Sequence, residues 1–259
     1  MNRILFEASE LAADGTATFA DARARHVLDV LHGVVGQTLK TGTLDGAIGM
    51  AEILSVTSDA VTVRTRHDRP SPRPWIDLVL APPRPRVLKR LLPQLATLGV
   101  GRIVFVGATK VEKAFWGAQL LKPEIYRPLL VEGLQQAGTS ILPDVQLARN
   151  FRSWLAHDLD AAFPASHPRL VAHPYAAAGA SSSPPAAATS AIAPDANARP
   201  LLAVGPEGGW TEDEVAALEA KGFVRYSLGG RILRTDTALI ALLARLMPVF
   251  DTAAITAAS

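Results

Sequence analysis

The sequence predicts an α/β protein in two parts: a small N-terminal β-barrel over residues 1–70, then an α/β domain with a largely parallel sheet over residues 75–259. Three observations predict it. Short apolar runs separated by turn residues fill the first part, a triple-proline stretch follows, and beyond it strand-like and helix-like runs alternate. At 259 residues the chain has room for two cores, on a measure of about 150 residues per domain.

In the first part, Thr38–Lys40, Met50–Val56 and Ala60–Arg64 read as short strands. Leu44-Asp45-Gly46 and Thr57-Ser58-Asp59 supply the turns between them. A helix is expected over Ala22–Leu31 with Asp21 as its N-cap. Arg69-Pro70-Ser71-Pro72-Arg73-Pro74 then stiffens the chain and marks a domain boundary.

In the second part, Trp75–Leu80 is a buried-strand candidate. Val87, Leu88, Leu91, Leu92, Leu95 and Leu98 repeat at helical spacing, and Gly99 is placed to end that helix. Pro93 is expected to interrupt it. Arg102–Val106 is the next strand, Glu124–Gln136 the next helix, and Leu170–Ala172 and Leu201–Val204 are further buried strands. Residues 176–194 are rich in Ala, Ser and Pro and carry no charge, which reads as a flexible insertion looping out of the sheet.

Composition narrows the class of protein. Half the residues (49%) are apolar and 19% are charged, which excludes a wholly disordered chain. The absence of cysteine excludes disulfides, thiolate metal sites and cysteine nucleophiles. No apolar run approaches the ~20 residues of a membrane span, and Glu7 interrupts the start before a signal-peptide core builds up. A cytoplasmic protein without a membrane partner is expected. The six histidines lack metal-ligand spacing, so no metal is expected.

The net charge of +2 conceals an uneven distribution. Residues 76–150 hold 10 basic and 5 acidic side chains, whereas residues 1–75 hold 8 and 9. Arg84, Arg86 and Lys89 open that basic stretch, with Arg69 and Arg73 just before it. The five are candidates for a phosphate-binding surface, against the alternative of a solvated helix face beside a basic linker.

Two glycine-rich segments carry the chemical information. Gly205-Pro206-Glu207-Gly208-Gly209-Trp210 follows the strand ending at Val204 and opens a helix. Thr211 and Glu214 are spaced as a capping box, with Trp210 and Val215 as a hydrophobic staple. Acidic residues in that first turn would repel a phosphate, and the spacing is neither a Walker loop nor a dinucleotide fingerprint. Leu228-Gly229-Gly230-Arg231-Ile232-Leu233-Arg234-Thr235-Asp236-Thr237-Ala238 follows a second strand, Val224–Ser227, and enters an apolar helix from Ala238. Their strands are expected to be adjacent, so that the two turns face each other across one cleft at the sheet edge, where open α/β sheets bind ligands.

These two motifs resemble those of the SPOUT-class RNA methyltransferases, and more narrowly the ribosomal RNA small subunit methyltransferase E family. The order of the other parts agrees, including Asp45-Gly46 and Ala51-Glu52-Ile53 in the barrel and Gln136-Ala137-Gly138 at a helix end. The resemblance implies a PUA-like RNA-binding barrel and a C-terminal SPOUT domain with a trefoil knot. It implies a homodimer that binds S-adenosyl-L-methionine and methylates N3 of a uridine in 16S rRNA, free or in the small ribosomal subunit. The implied cofactor site comprises His173, Val204, Gly205, Pro206, Glu207, Gly208, Gly209, Leu228, Gly229, Ile232, Leu233 and Arg234. The sequence departs from the family at Asp236, where Glu is usual, at Pro93 and Pro128 inside helices, at Gln135 before the small residue, and in the uncharged insertion.

Removing the N3 proton leaves an anion spread over two carbonyl oxygens, which a fixed cation would stabilise. Arg234 is the candidate for that cation or for a phosphate contact. Asp236 is the candidate proton acceptor, with helix capping as its alternative role. Glu207 is a candidate acceptor for loop amides or a partner subunit, Arg231 a weaker substrate contact, and the tryptophans read as core or interface anchors. Competing classes are a SPOUT enzyme acting on a ribose 2′-hydroxyl, a non-catalytic RNA-binding protein of the same fold, and a nucleotide-dependent oxidoreductase, which lacks its fingerprint.

Overall fold

The computed structural model describes residues 2–117, 119–174 and 199–250, with Val249 and Phe250 described by their backbone alone. The insertion expected over 176–194 lies outside the described residues. The chain forms two compact units, each discontinuous in sequence. One comprises Met1–Arg73 with Pro93–Thr97 and Arg127–Leu142, the other Pro74–Leu92, Leu98–Tyr126 and Pro143–Ser259.

The first unit is built on a curled half-barrel of five strands, β1 (Ile4–Phe6), β2 (Thr16–Phe19), β3 (Thr38–Thr43), β4 (Ile48–Val56) and β5 (Val61–Arg69), in the order β1-β3-β4-β5-β2. β1 pairs parallel with β3 and every other pair is antiparallel. Register shifts between β4 and β5 interrupt the ladder, as bulges do when they increase local twist. β1 and β2 were not legible as strands, being three and four residues long. β5 runs on to Arg69, which pairs with Ile48 instead of belonging to the proline-rich stretch. Phe6, Phe19, Val27, Ile53, Val61 and Val63 form the core.

The expected helix after Asp21 is a short α1 (Ala22–Arg25) that widens into a π-turn over His26–Val30. Asp21 caps it by accepting from the Arg23 amide. Arg23 also donates to the carboxylates of Glu10 and Asp21 and to the Leu5 carbonyl.

The second unit carries a six-stranded, all-parallel sheet of β6 (Ile76–Leu80), β7 (Val100–Val106), β8 (Asp144–Ala148), β9 (Arg169–Ala172), β10 (Leu201–Val204) and β11 (Val224–Tyr226). The order is β11-β9-β10-β6-β7-β8. All of β6 and β10 is buried, as parallel sheets require when both faces are covered. Val79, Val104, Val171 and Ala203 pack with Phe151, Trp154, Trp210, Val215 and Leu218 on one side.

The remaining α-helices of the described residues are α2 (Pro85–Thr97), α3 (Pro123–Ala137), α4 (Phe151–His157), α5 (Leu159–Ala162), α6 (Glu212–Ala220) and α7 (Thr235–Phe250). Pro93 and Pro128 lie inside α2 and α3 without ending them. A proline in mid-helix costs one backbone hydrogen bond; at Pro93 the burial of Leu88, Leu91, Leu92 and Leu95 offsets that loss. Among the described residues no helix is long and apolar enough to cross a membrane.

Candidate functional site

Because every strand of the second sheet runs the same way, the loops that follow them leave from one edge. Three of these loops enclose a cleft of about 330 Å³: His173-Pro174 after β9, Gly205–Gly209 after β10, and Leu228–Leu233 after β11. The strands before the two glycine-rich loops are not neighbours. β9 lies between β10 and β11, so the His173 loop separates the two turns and forms the middle of the wall. The expectation of adjacent strands was wrong because sequence order hides the return of the chain through β10 to the interior of the sheet.

The structure brings together His173, Val204, Gly205, Pro206, Glu207, Gly208, Gly209, Leu228, Gly229, Ile232 and Leu233, all of which line the cleft. Arg234 is the exception. Its side chain is 75% exposed and it is not among the lining residues, because the neighbouring Thr235 turns inward, buried, to begin α7. Arg231 does line the cleft. So do Tyr226 and Ser227 at the end of β11, and Ala238 and Leu242 on one face of α7. Periodicity could have marked the last two, since i and i+4 share a helix face.

The lining is mostly apolar. Gly209 and Gly229 have φ of +70° and +110°, and a Cβ at either would project into open space. They therefore supply left-handed turns at low cost and leave room beside the backbone. Trp210, buried against Phe151 with ring centroids 5.2 Å apart, has an indole N–H without a hydrogen-bond partner among the described residues. The Tyr226 phenol is pushed up by burial, so it stays neutral as a donor.

The first glycine loop is braced on both flanks. The Arg84 amide donates to Glu207 Oε1 at 3.0 Å, and Lys110 Nζ donates to the Gly208 carbonyl at 2.8 Å. Glu214 is 2% exposed and fastens the following helix. Its Oε2 accepts from the Thr211 amide at 2.8 Å, and its Oε1 from the Thr109 amide and hydroxyl at 2.7 and 2.9 Å. Burial alone would raise its carboxyl, but these bonds together hold it below the usual carboxylate value. The capping box is therefore present, with a third segment tied into it. His173 Nε2 lies 3.5 Å from Glu212 Oε1.

Asp236 sits in the first turn of α7 instead of preceding the helix, because the Arg234 carbonyl accepts the Ala238 amide at 2.8 Å and starts the ladder earlier. Its Oδ2 receives Arg90 Nη2 at 3.2 Å and its Oδ1 lies 3.7 Å from Arg234 Nε. Of the five basic candidates, Arg84, Arg86 and Lys89 belong to the second unit and Arg69 and Arg73 to the first. All five are exposed.

Comparisons with known proteins agree with this arrangement. Residues 69–247 match the family model described as the RNA methyltransferase domain. The chain is 29% identical over 251 residues to the ribosomal RNA small subunit methyltransferase E of Treponema pallidum (strain Nichols), covering 93% of this chain and 88% of that one. In fold it is similar to a probable rRNA-methyltransferase from Porphyromonas gingivalis, with a TM-score of 0.73 and 22% identity over 96% of this chain and 99% of that one. It is also similar to the ribosomal RNA small subunit methyltransferase E from Neisseria gonorrhoeae bound to S-adenosyl methionine, with a TM-score of 0.69 and 21% identity over 96% and 98% of the two chains.

Proposed function

The chain belongs to the RNA methyltransferase domain family, and from that membership we propose that it methylates N3 of a uridine in the 16S RNA of the small ribosomal subunit, using S-adenosyl-L-methionine. The observation that carries the reading is the convergence of the loops after β9, β10 and β11 on one apolar cleft. The residues there fit the cofactor. Gly209 and Gly229 leave a cradle that side chains would fill, and the unpartnered Trp210 indole N–H is a donor for a bound acceptor. Val204, Leu228, Leu233, Ala238 and Leu242 would hold the adenine and exclude water, and the loop backbone would orient the rest.

When bound, the cofactor supplies a methyl carbon activated by its sulfonium. The protein's task is alignment and exclusion of water. In this reading Arg234, at the rim of the cleft, stabilises the uracil anion or holds a flanking phosphate. Arg90 and Arg234 hold Asp236, which orients the start of α7. Arg69, Arg73, Arg84, Arg86 and Lys89 are the phosphate contacts of their respective units. A second copy of the chain completes a homodimer, which would cover the nearly naked Ile232, 93% exposed beside the cleft.

Mass mapping of modified nucleosides in small-subunit RNA from a deletion strain tests the function. Loss of one N3-methyluridine, restored by the gene, is the expected result. Loss of a 2′-O-methyl nucleoside instead, or no change, would overturn it.

A further inference from the structure

The loops after β7 and β8 continue the cleft edge of the sheet away from the three loops already described. They carry their own set of groups, physically joined to the cleft. Lys110 spans to the Gly208 carbonyl, and a Cβ at Gly208 would stand 3.0 Å from Lys110 Cδ. At the other side, the Gly107 amide donates to the Ala148 carbonyl at 2.9 Å. A Cβ on Gly107 would lie 1.9 Å from the Arg149 carbonyl oxygen, so only glycine permits the two loops to meet there. The Arg149 guanidinium lies over the ring of Trp116, 5.9 Å from its centroid.

Trp116 differs from the other three tryptophans. Trp75, Trp154 and Trp210 are buried in the second unit, whereas Trp116 is only half-buried, in the 3-10 turn Lys113–Gly117. Arg149 is exposed, and the segment leading to Trp116 carries the exposed Lys110 and Lys113 against one acidic residue, Glu112. A half-buried aromatic ring under a guanidinium, in a segment that also carries two exposed lysines, suits a phosphodiester chain. Bases stack on such rings whatever their identity, while the cations follow the phosphates.

We propose that Trp116, with Arg149, Lys110 and Lys113, forms a stacking platform for a base of single-stranded RNA beside the cleft. The proposal rests on the reading of the chain as an RNA methyltransferase. It adds a contact surface on the β7 and β8 loops, separate from the five basic residues already assigned to phosphate binding. The sequence marked tryptophans as anchors; at Trp116 the exposure and the cationic surroundings favour a ligand instead.

The test uses the full chain and a uridine-rich single-stranded RNA oligonucleotide. Quenching of intrinsic fluorescence by the RNA that is present in the wild type and lost in Trp116→Ala reports on Trp116, since Trp210 also borders the cleft. Trp116→Ala is expected to bind the oligonucleotide about ten-fold more weakly or worse, the scale of one base stack. Trp116→Phe should restore most of the affinity, and S-adenosylmethionine binding by calorimetry should be unchanged in both. Lys113→Gln, a change at an exposed position, should reduce the salt dependence of RNA binding. A wild-type protein that methylates its RNA, with Trp116→Ala binding as tightly as wild type and no quenching, overturns this inference alone. A wild-type protein that neither binds nor methylates small-subunit RNA overturns the parent reading and this one together.

Discussion

At the scale of single residues, the pair Arg234 and Asp236 decides how the proposed chemistry is read. Arg234 is exposed at the rim of the cleft, where a fixed cation can meet an incoming anion without having been desolvated. Arg234→Ala should therefore bind S-adenosylmethionine nearly normally and transfer the methyl group more slowly, on the order of 10²–10³-fold for a lost transition-state contact. Asp236 is engaged by Arg90 and placed in the first turn of α7, where a carboxylate also favours the helix dipole. Asp236→Asn should keep most activity. Single-turnover methylation over a pH series separates the roles: a severe Asp236→Asn defect relieved at high pH would make it the proton acceptor, and normal turnover by Arg234→Ala would refute the cation. The residue types of this site were legible, since glycines at positive φ and a rim arginine leave a mark in sequence. The contact with Arg90 was not, because 146 positions separate the partners and no local pattern records it.

At the scale of elements, Glu214 shows where sequence reading stops. Its spacing from Thr211 announced a capping box, and the box is there. Nothing in that spacing announced that the same carboxylate also binds the amide and hydroxyl of Thr109, in the loop after β7. Glu214 thus ties together the helix after the glycine loop and the loop that carries Lys110. Glu214→Ala should leave three part-buried donors without their carboxylate acceptor, at a cost of at most about 1–3 kcal/mol each where water does not replace it. Glu214→Gln should also destabilise, since its amide turns a donor toward either Thr109 or Thr211. Urea unfolding would read the loss; wild-type stability in Glu214→Ala would show that water satisfies these groups and that the tie is dispensable. The same limit explains the strands. Those rich in buried apolar residues, such as Ile76–Leu80, were legible, while Asp144–Ala148 at the sheet edge, only partly buried, carried no apolar run to reveal it.

At the scale of the molecule, the alternation of strand and helix sufficed to foresee a parallel sheet, but not its order, because strand order depends on which loop crosses which. Nor did it foresee that the first unit would draw in Arg127–Leu142, where the Asn2 and Arg3 amides both donate to the Gln135 carbonyl at 3.1 Å. The buried Arg3 is a centre of that unit, donating to the carbonyls of Gly138, Thr41 and Gly49. His67 lies nearby with both ring nitrogens 2.9 Å from the hydroxyls of Thr41 and Thr43. Burial, with the charge of Arg3, lowers the His67 pKa from 6.5. The folded protein therefore prefers the neutral ring, and the unfolded chain binds the extra proton first as pH falls. His67 contributes no penalty above the unfolded value, and stability should decline as pH drops below about 6.5 toward the lower folded value. Melting temperature measured between pH 8 and pH 5 should fall across that window. In His67→Gln, which keeps hydrogen-bonding atoms between the two threonines but cannot titrate, that part of the decline should vanish. An unaltered slope in the variant would place the acid sensitivity elsewhere. The carboxylates of Glu10 and Glu214, held below 4.5 by their hydrogen bonds, would then be the groups to examine in the more acid range.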